Sequence, residues 1–294
     1  MTAQPTPTRV TSSSRIPGIT KYRVIALPDS DRLTQFFTRP GADMFEVFPA
    51  VDGRYGMGVE GFNSRRASEL YGRETSAPEK AITLSHLGVM REFAQEQGSD
   101  DDFLVVAEDD AQLGDDFEEI LSRLMETSRG LGIVVLAHPQ GIAGSRQAVE
   151  TNGWKLFLSP LATRLRSSSG RTYRRGHYSG VLWGAVLYVV RRDAARRYAQ
   201  MADSTGGPAW LADDWWRISQ YAHVDVQVLL PNLAYWTAES TFRGVSAERD
   251  EAPKLGARVR QSLALRTRVK VLRNGTAVAL REIADRVETG EWYR

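Results

Sequence analysis

The strongest constraint on this chain's fold is a set of short apolar runs, each cut off abruptly. Phe103–Ala107 (FLVVA) and Gly132–Ala137 (GIVVLA) show no apolar/polar alternation. Runs of that length without alternation fit strands covered on both faces, as in a mainly parallel sheet flanked by helices. Tyr22–Leu27 (YRVIAL), Met44–Val51 (MFEVFPAV) and Val224–Leu230 read as further strands, stopped by Pro28-Asp29-Ser30, Asp52-Gly53 and Pro231. Val181–Val190 reads as one or two strands, and Trp154–Leu158 as an edge strand. Helical patterns lie between them, at Asp31–Thr38, Ala81–Gln97, Asp116–Ser128, Asp193–Met201 and Asp213–Tyr221. In the second of these, Ile82, Leu84, Leu87, Met90 and Phe93 recur near helical spacing and Gly98 ends the pattern. Residues 54–78 have no clear period and read as a loop with one helical turn at most. Strands alternating with helices define an α/β class.

Composition narrows the function. The chain has 294 residues and no cysteine. That excludes a disulfide framework, thiolate zinc sites, iron–sulfur clusters and a cysteine nucleophile. The longest apolar run, Val181–Val190, falls far short of the ~20 residues of a membrane-spanning helix. The opening MTAQPTPTRVTSSSRIPG has no apolar core, so it reads as a disordered lead-in over residues 1–20 rather than a signal peptide. A cytoplasmic location is expected.

Net charge is only +2, but Lys254 to Arg281 holds eight Lys/Arg and no acid. Residues 246–253 read as a linker, giving a body over 21–245 and a basic helical extension over 246–294. Leu255, Val259, Leu263, Leu265, Val269 and Leu272 recur among those bases at helical spacing. The extension is expected to lie on an anionic membrane surface, peripherally at the inner face, or else to pack on the body or self-associate. No nucleic-acid motif accompanies the charge, and no nucleic-acid partner is expected.

The acids concentrate elsewhere. Asp100 to Glu119 holds ten acids and no base. Asp100–Asp102 and Asp115–Glu119 read as solvated turns. Glu108-Asp109-Asp110 directly follow the apolar strand, and ligands in open α/β sheets bind beyond the carboxyl ends of strands. Packed carboxylates repel and raise one another's pKa, a cost that a bound cation removes. Manganese or magnesium would suit these oxygens, usually with waters and substrate phosphates completing the shell.

Other catalytic signatures are missing. There is no G-x-S-x-G, no phosphate-binding G-x-x-x-x-G-K-[ST] and no G-x-G-x-x-G. Ser85 reads as a helix cap, and His86 as a phosphate donor, metal ligand, general base or structural hydrogen-bonder. Asp213-Asp214 precede Trp215-Trp216. On the residues alone they read as a helix N-terminus with acids favoured by the dipole and tryptophans in the core. Arg164–Arg175 holds five arginines, of which Arg171, Arg174 and Arg175 read either as ligands for a diphosphate or anionic acceptor or as a solvated loop.

Three blocks together carry a resemblance. The first is Val24–Leu27, then Asp31-Arg32 and Ala50-Val51-Asp52-Gly53. The second is Leu84-Ser85-His86-Leu87, about twenty residues before Glu108-Asp109-Asp110. The third is Gly184–Ala195 (GAVLYVVRRDAA). Their order and spacing over about residues 22–245 resemble glycosyltransferase family 25, the lipopolysaccharide-type and procollagen galactosyltransferase-like enzymes. The chain departs from that family where Lys80–Leu84 lacks its Gly-Cys and where Ala26-Leu27 replaces its Asn-Leu.

The resemblance implies a GT-A-like nucleotide-sugar fold, a UDP-sugar donor (galactose above other hexoses) and inversion at the anomeric carbon. It implies Asp109 and Asp110, with Glu108, as the manganese or magnesium motif. It points to Arg32, Asp52, Ser85 and His86 on the donor side, to Asp213 or Asp214 as the base of the transfer with Trp215 and Trp216 as a sugar-stacking wall, and to Glu239-Ser240 as a further binding segment. The acceptor would be a glycan or a lipid-linked glycan. A sugar-nucleotide-binding homologue without turnover and a metal-dependent phosphoryl-transfer enzyme are the competing readings.

Overall fold

The two unbroken apolar runs lie at the centre of an eight-stranded sheet, separated by a single strand. The computed structural model describes residues 16–138, 156–180, 182–236 and 280. In chain order it runs β1 (Ile19–Ala26), α1 (Arg32–Phe36), a 3-10 turn at Ala42–Met44, β2 (Glu46–Pro49), α2 (Ser64–Tyr71) and α3 (Ala77–Gln95). Then follow β3 (Phe103–Glu108), β4 (Ala111–Leu113), α4 (Phe117–Glu126), β5 (Ile133–Ala137), β6 (Phe157–Leu158) and β7 (Thr163–Arg166). The remainder is β8 (Thr172–Gly176), β9 (Tyr178–Ser179), β10 (Leu187–Arg191), α5 (Arg192–Ser204), α6 (Trp215–Ala222), β11 (Val226–Leu230) and β12 (Ala234–Trp236).

The main sheet has the order β2-β1-β3-β10-β5-β11-β8-β7. Pairings β1–β2, β1–β3 and β5–β11 are parallel; β10 and β8 run against the other strands. The sheet is thus mixed, with most strands pointing one way. Leu187 at the start of β10 opposes both Ala107 and Ala137. The carboxyl ends of β3 and β5 are therefore level.

Burial explains the unbroken runs. Val105 and Ala107 face a core built with Phe36, Phe117, Ile120 and Leu124 of α1 and α4. Leu104 and Val106 face the opposite core, built with Leu87, Met90 and Phe93 of α3 and with Tyr198 and Trp215. Side chains alternate between the faces of a strand, so a strand with a helical layer on each side must be apolar throughout. The result is a three-layer α/β/α arrangement.

Several elements differ from the sequence reading. Residues 54–78 contain a full helix, α2, capped by Asn63, whose side chain accepts from the Arg66 N–H, and closed by Gly72 at φ 66°. Helix α3 begins four residues before Ala81, because Ser76 and Glu79 form a reciprocal capping box. Ser85 therefore lies inside the helix and does not cap it. Val181–Val190 yields one strand of the main sheet, starting at Leu187. Trp154 and Lys155 lie outside the described residues, and only Phe157–Leu158 of that segment pairs, with β9. Arg164–Arg175 folds as the β7–β8 hairpin at the sheet edge. The proposed lead-in over 1–20 is described only from Ile16, which is buried, and β1 already starts at Ile19. Of the basic extension only residue 280 is described. Among the described residues no helix is long and apolar enough to cross a membrane.

Candidate active site

Strand β3 delivers its terminal acids in two directions. Glu108 shares a strand face with Leu104 and Val106, so it turns toward α3. There its Oε1 lies 3.2 Å from Nε2 of His86. Asp109 and Asp110 follow in the turn to β4 and are both buried. Asp109 accepts a hydrogen bond from the Ser30 hydroxyl. The Arg32 guanidinium, at the start of α1, spans the pair, 3.2 Å from Asp109 and 3.6 Å from Asp110. Burial raises the Asp109 pKa above the usual carboxylate range, although Ser30 and Arg32 oppose that shift. Desolvation thus outweighs the partners this carboxylate has. A water-sized crevice of about 10 Å³, lined by Arg32, Gln35, Asp109, Asp110 and Gln112, opens at this point.

The expected three-acid metal set therefore narrows. Alternation along the strand takes Glu108 to His86. Among the described residues no group of three or more His, Cys, Asp or Glu side chains is placed to hold a metal ion. Asp109 and Asp110 still fit one. They are two desolvated carboxylates already bridged by a cationic side chain, and magnesium-type sites commonly use one or two carboxylates plus substrate phosphates.

The Ser-His pair acts from inside α3. His86 is buried, with Nδ1 3.0 Å from the Tyr188 hydroxyl and Nε2 toward Glu108. It thereby fixes the orientation of Glu108. The Ser85 hydroxyl donates to the Ala81 carbonyl at 2.8 Å and accepts from the Val51 N–H at 2.8 Å. That bond pins the loop after β2 onto the helix. Gly53 completes the contact, since a Cβ there would come within 2.6 Å of the Ala81 Cβ and 2.7 Å of the Ala77 carbonyl oxygen. Asp52, in the same loop, is engaged by Arg54, which also holds Asp29 at 2.8 Å. Hydrogen bonding to Arg54 lowers the pKa of both carboxylates.

The two aspartates before α6 separate cleanly. Asp214 is the helix N-cap. Its Oδ1 accepts from the Arg217 N–H at 3.3 Å, while Oδ2 takes the Tyr71 hydroxyl at 2.7 Å and the Arg217 guanidinium. Both of its oxygens hold the fold. Asp213 instead accepts from the Gly184 N–H at 3.2 Å. Two residues on, the Val186 carbonyl accepts the Glu108 N–H at 2.9 Å. Asp213 is thereby tied to the end of β3 through one short stretch of chain.

Trp215 does not form a sugar-stacking wall. Its ring is fully buried, packs edge-on to Tyr188 at 5.2 Å, and its Nε1–H donates to the Gly184 carbonyl at 2.9 Å. As the first helical residue of α6 it points into the core. Trp216 is the exposed neighbour.

Asp116, Glu119, Arg171, Arg174 and Arg175 are engaged within the fold. Asp116 accepts from the Tyr173 hydroxyl at 2.9 Å, and Glu119 from Ser168, which ties the turn of the β7–β8 hairpin to α4. Arg175 is buried and donates to the Thr163 hydroxyl across that hairpin; Arg174 donates to the Ser159 carbonyl, and Arg171 to the Tyr235 hydroxyl. Glu239 and Ser240 lie outside the described residues. A second groove of about 380 Å³, lined by Arg66, Met201, Trp210, Gln220, Tyr221 and other residues, contains no carboxylate.

One group at this end of the sheet was missed from the sequence. His138 is the first residue after β5, level with Glu108 and two strands away, or about 10 Å at ordinary strand spacing. It is 4 % exposed, and burial lowers its pKa to about 4. Its Nε2 has no hydrogen-bond partner among the described residues. The signal was available, because a polar side chain ends the GIVVLA run much as Glu108 ends FLVVA.

The profile of the family described as Glycosyltransferase family 25 (LPS biosynthesis protein) matches residues 21–214. That span includes most of β1, the loop after β2, the Ser-His helix, the Glu-Asp-Asp strand end and Asp213-Asp214. A search of curated proteins found no match to the chain.

Proposed function

The chain belongs to glycosyltransferase family 25, and from that premise we propose that it transfers a hexose, galactose in the first instance, from a UDP-sugar to a hydroxyl of a glycan or lipid-linked glycan, with inversion and with manganese or magnesium. The observation that carries this reading is the desolvated Asp109–Asp110 pair at the carboxyl end of β3, bridged by Arg32. A divalent cation held by that pair would stabilise the charge that develops on the departing diphosphate.

The chain's own residues supply the rest. Arg32 is the cation within reach of both carboxylates, and its half-exposed side chain is free to meet the donor's phosphates. Ser85 and Gly53 hold the 50–54 loop rigidly against α3, which fixes one wall beside the donor. His86 holds Glu108 on the α3 side of the turn, where its charge still adds to the raised pKa of Asp109. Asp213 is the general base, taking the proton from the acceptor hydroxyl as its oxygen attacks the sugar. Asp214 holds the α6 N-terminus that positions it. The basic stretch 254–281 would keep the enzyme at an anionic membrane surface where lipid-linked acceptors lie. Loss of flotation with anionic liposomes on deleting 254–294 would support that placement; unchanged flotation would refute it.

Donor hydrolysis tests the reading. Purified protein is incubated with a panel of nucleotide-sugars, with and without manganese, and free nucleotide is followed. Manganese-dependent release from one UDP-sugar, abolished by Asp110→Ala, is the expected result. Release that is indifferent to both manganese and the substitution would refute it.

A further inference from the structure

The end of β5 carries two buried polar atoms whose needs the described fold does not meet. Among the described residues His138 Nε2 has no hydrogen-bond partner, and neither has Oδ1 of Asn232. Both residues are more than nine-tenths buried, at 4 % and 3 % exposure. They are neighbours, since the Asn232 side-chain amide donates to the His138 carbonyl at 2.9 Å. Next to them the Leu233 N–H donates to the Leu136 carbonyl at 2.8 Å, which fixes the chain after β11 against β5. An unsatisfied buried polar group costs about 1–3 kcal/mol, so native folds keep few of them, commonly where a ligand or water completes the bond.

Their position relates them to the acidic turn through the main sheet. Across β10, His138 is level with Glu108. Asn232 goes with His138 and lies beside the far end of β4 from Asp110, since the antiparallel register sets Ala234 opposite Leu113 and the Gly114 N–H donates to the Leu233 carbonyl at 2.8 Å. His138 thus lies at the same end of the sheet as Glu108, across the end of β10.

Their chemistry differs from that of the acidic turn. Burial holds the His138 imidazole neutral down to about pH 4. A neutral imidazole and a carboxamide offer no charge to a phosphate or a carboxylate. They suit hydroxyl groups, which donate and accept at once. We infer that His138 and Asn232 bind hydroxyls of the hexose carried by the donor, making them specificity-determining residues across β10 from the diphosphate end of the site. This rests on the proposed reading of the chain as a UDP-sugar transferase.

Calorimetric titration of the full chain with UDP-galactose, UDP-glucose and UDP, each with manganese, tests it. The variants are His138→Ala, His138→Gln and Asn232→Ala. For the preferred UDP-hexose, affinity is expected to fall at least tenfold in the two alanine variants, with partial recovery in His138→Gln. Affinity for UDP stays within about twofold, which also reports an intact fold. Unchanged UDP-hexose affinity, or an equal loss for UDP and UDP-hexose, would overturn the inference. Failure of the underlying reading is separately visible, because the wild type would then bind neither UDP nor a UDP-hexose.

Discussion

Strand β3 has aspartates at both ends, and the two ends are built in opposite ways. At its start each acid has its own arginine. Asp100 meets Arg196 at 2.8 Å, Asp101 meets Arg191 at 3.3 Å, and Asp102 meets Arg192 at 3.2 Å while also accepting the Ser99 N–H. Asp100 and Asp101 are exposed. At its finish Asp109 and Asp110 are buried and share one half-exposed arginine. At the first end each charge is neutralised locally, and the exposed pairs carry no burial cost. At the second, burial leaves Asp109 with a raised pKa, so ionised carboxylate at neutral pH costs stability. Such a cost at a strand's carboxyl end, where α/β ligands bind, is what the proposed donor site requires.

The sharpest way to break the comparison is to exchange function for stability at each end. Asp110→Ala, or Asp109→Asn, is expected to lower turnover of the preferred donor by about 10²–10³-fold, the scale of losing one transition-state stabiliser. Asp109→Asn should leave thermal stability unchanged or raised, since it removes the desolvated charge. A large fall in Tm would contradict the account.

Arg192→Ala probes the other end. Arg192 is buried over the Phe93 ring at 3.9 Å and donates to the Ser99 carbonyl as well as to Asp102. Its loss removes one of Asp102's two partners and the donor to the Ser99 carbonyl, and should destabilise by about 1–3 kcal/mol in urea unfolding. Activity per folded molecule should stay near wild type.

A third contrast is between Asp213 and Asp214. Asp213→Asn should lower kcat by about 10²–10⁴-fold with little change in stability. Asp214→Asn keeps the cap but loses the charged bond to Arg217, so its effect should fall on Tm more than on kcat. Equal effects on kcat would erase the distinction.

Acid titration offers a fourth. His138 has a folded pKa depressed to about 4, below its unfolded value near 6.5. The unfolded chain binds the proton first as pH falls. Stability is therefore expected to drop between about pH 6.5 and 4, by about 3 kcal/mol from this group. His138→Gln should flatten that part of the stability–pH curve. The smallest effect is expected from Asp101→Ala, an exposed pair with no measurable consequence for activity or unfolding.

The same contrast shows what the sequence made legible. FLVVA followed by Glu-Asp-Asp is readable because a strand covered on both faces needs an unbroken run, and the first polar residues after it emerge at the ligand end. Which of the three acids stay together is not readable from composition. It depends on alternation, which sends Glu108 to His86. The start of α3 was hidden by its polar first turn, although Ser76-Ala77-Pro78-Glu79 carries a capping-box pattern. Trp215 illustrates the converse. An aromatic beside two acids suggests a sugar platform, but helix phase places it against Tyr188 and leaves Trp216 outside. Asp213 and Asp214 are equivalent in sequence, and only tertiary partners, Gly184 for one and Tyr71 and Arg217 for the other, separate them.

The most direct test of the central claim is calorimetric titration of UDP with manganese into the wild type, Asp110→Ala and Asp101→Ala. Binding retained in the wild type and in Asp101→Ala, and lost in Asp110→Ala, is the predicted result. Binding by Asp110→Ala equal to the wild type, with the fold intact, would contradict the assignment of the carboxyl end of β3 as the donor site.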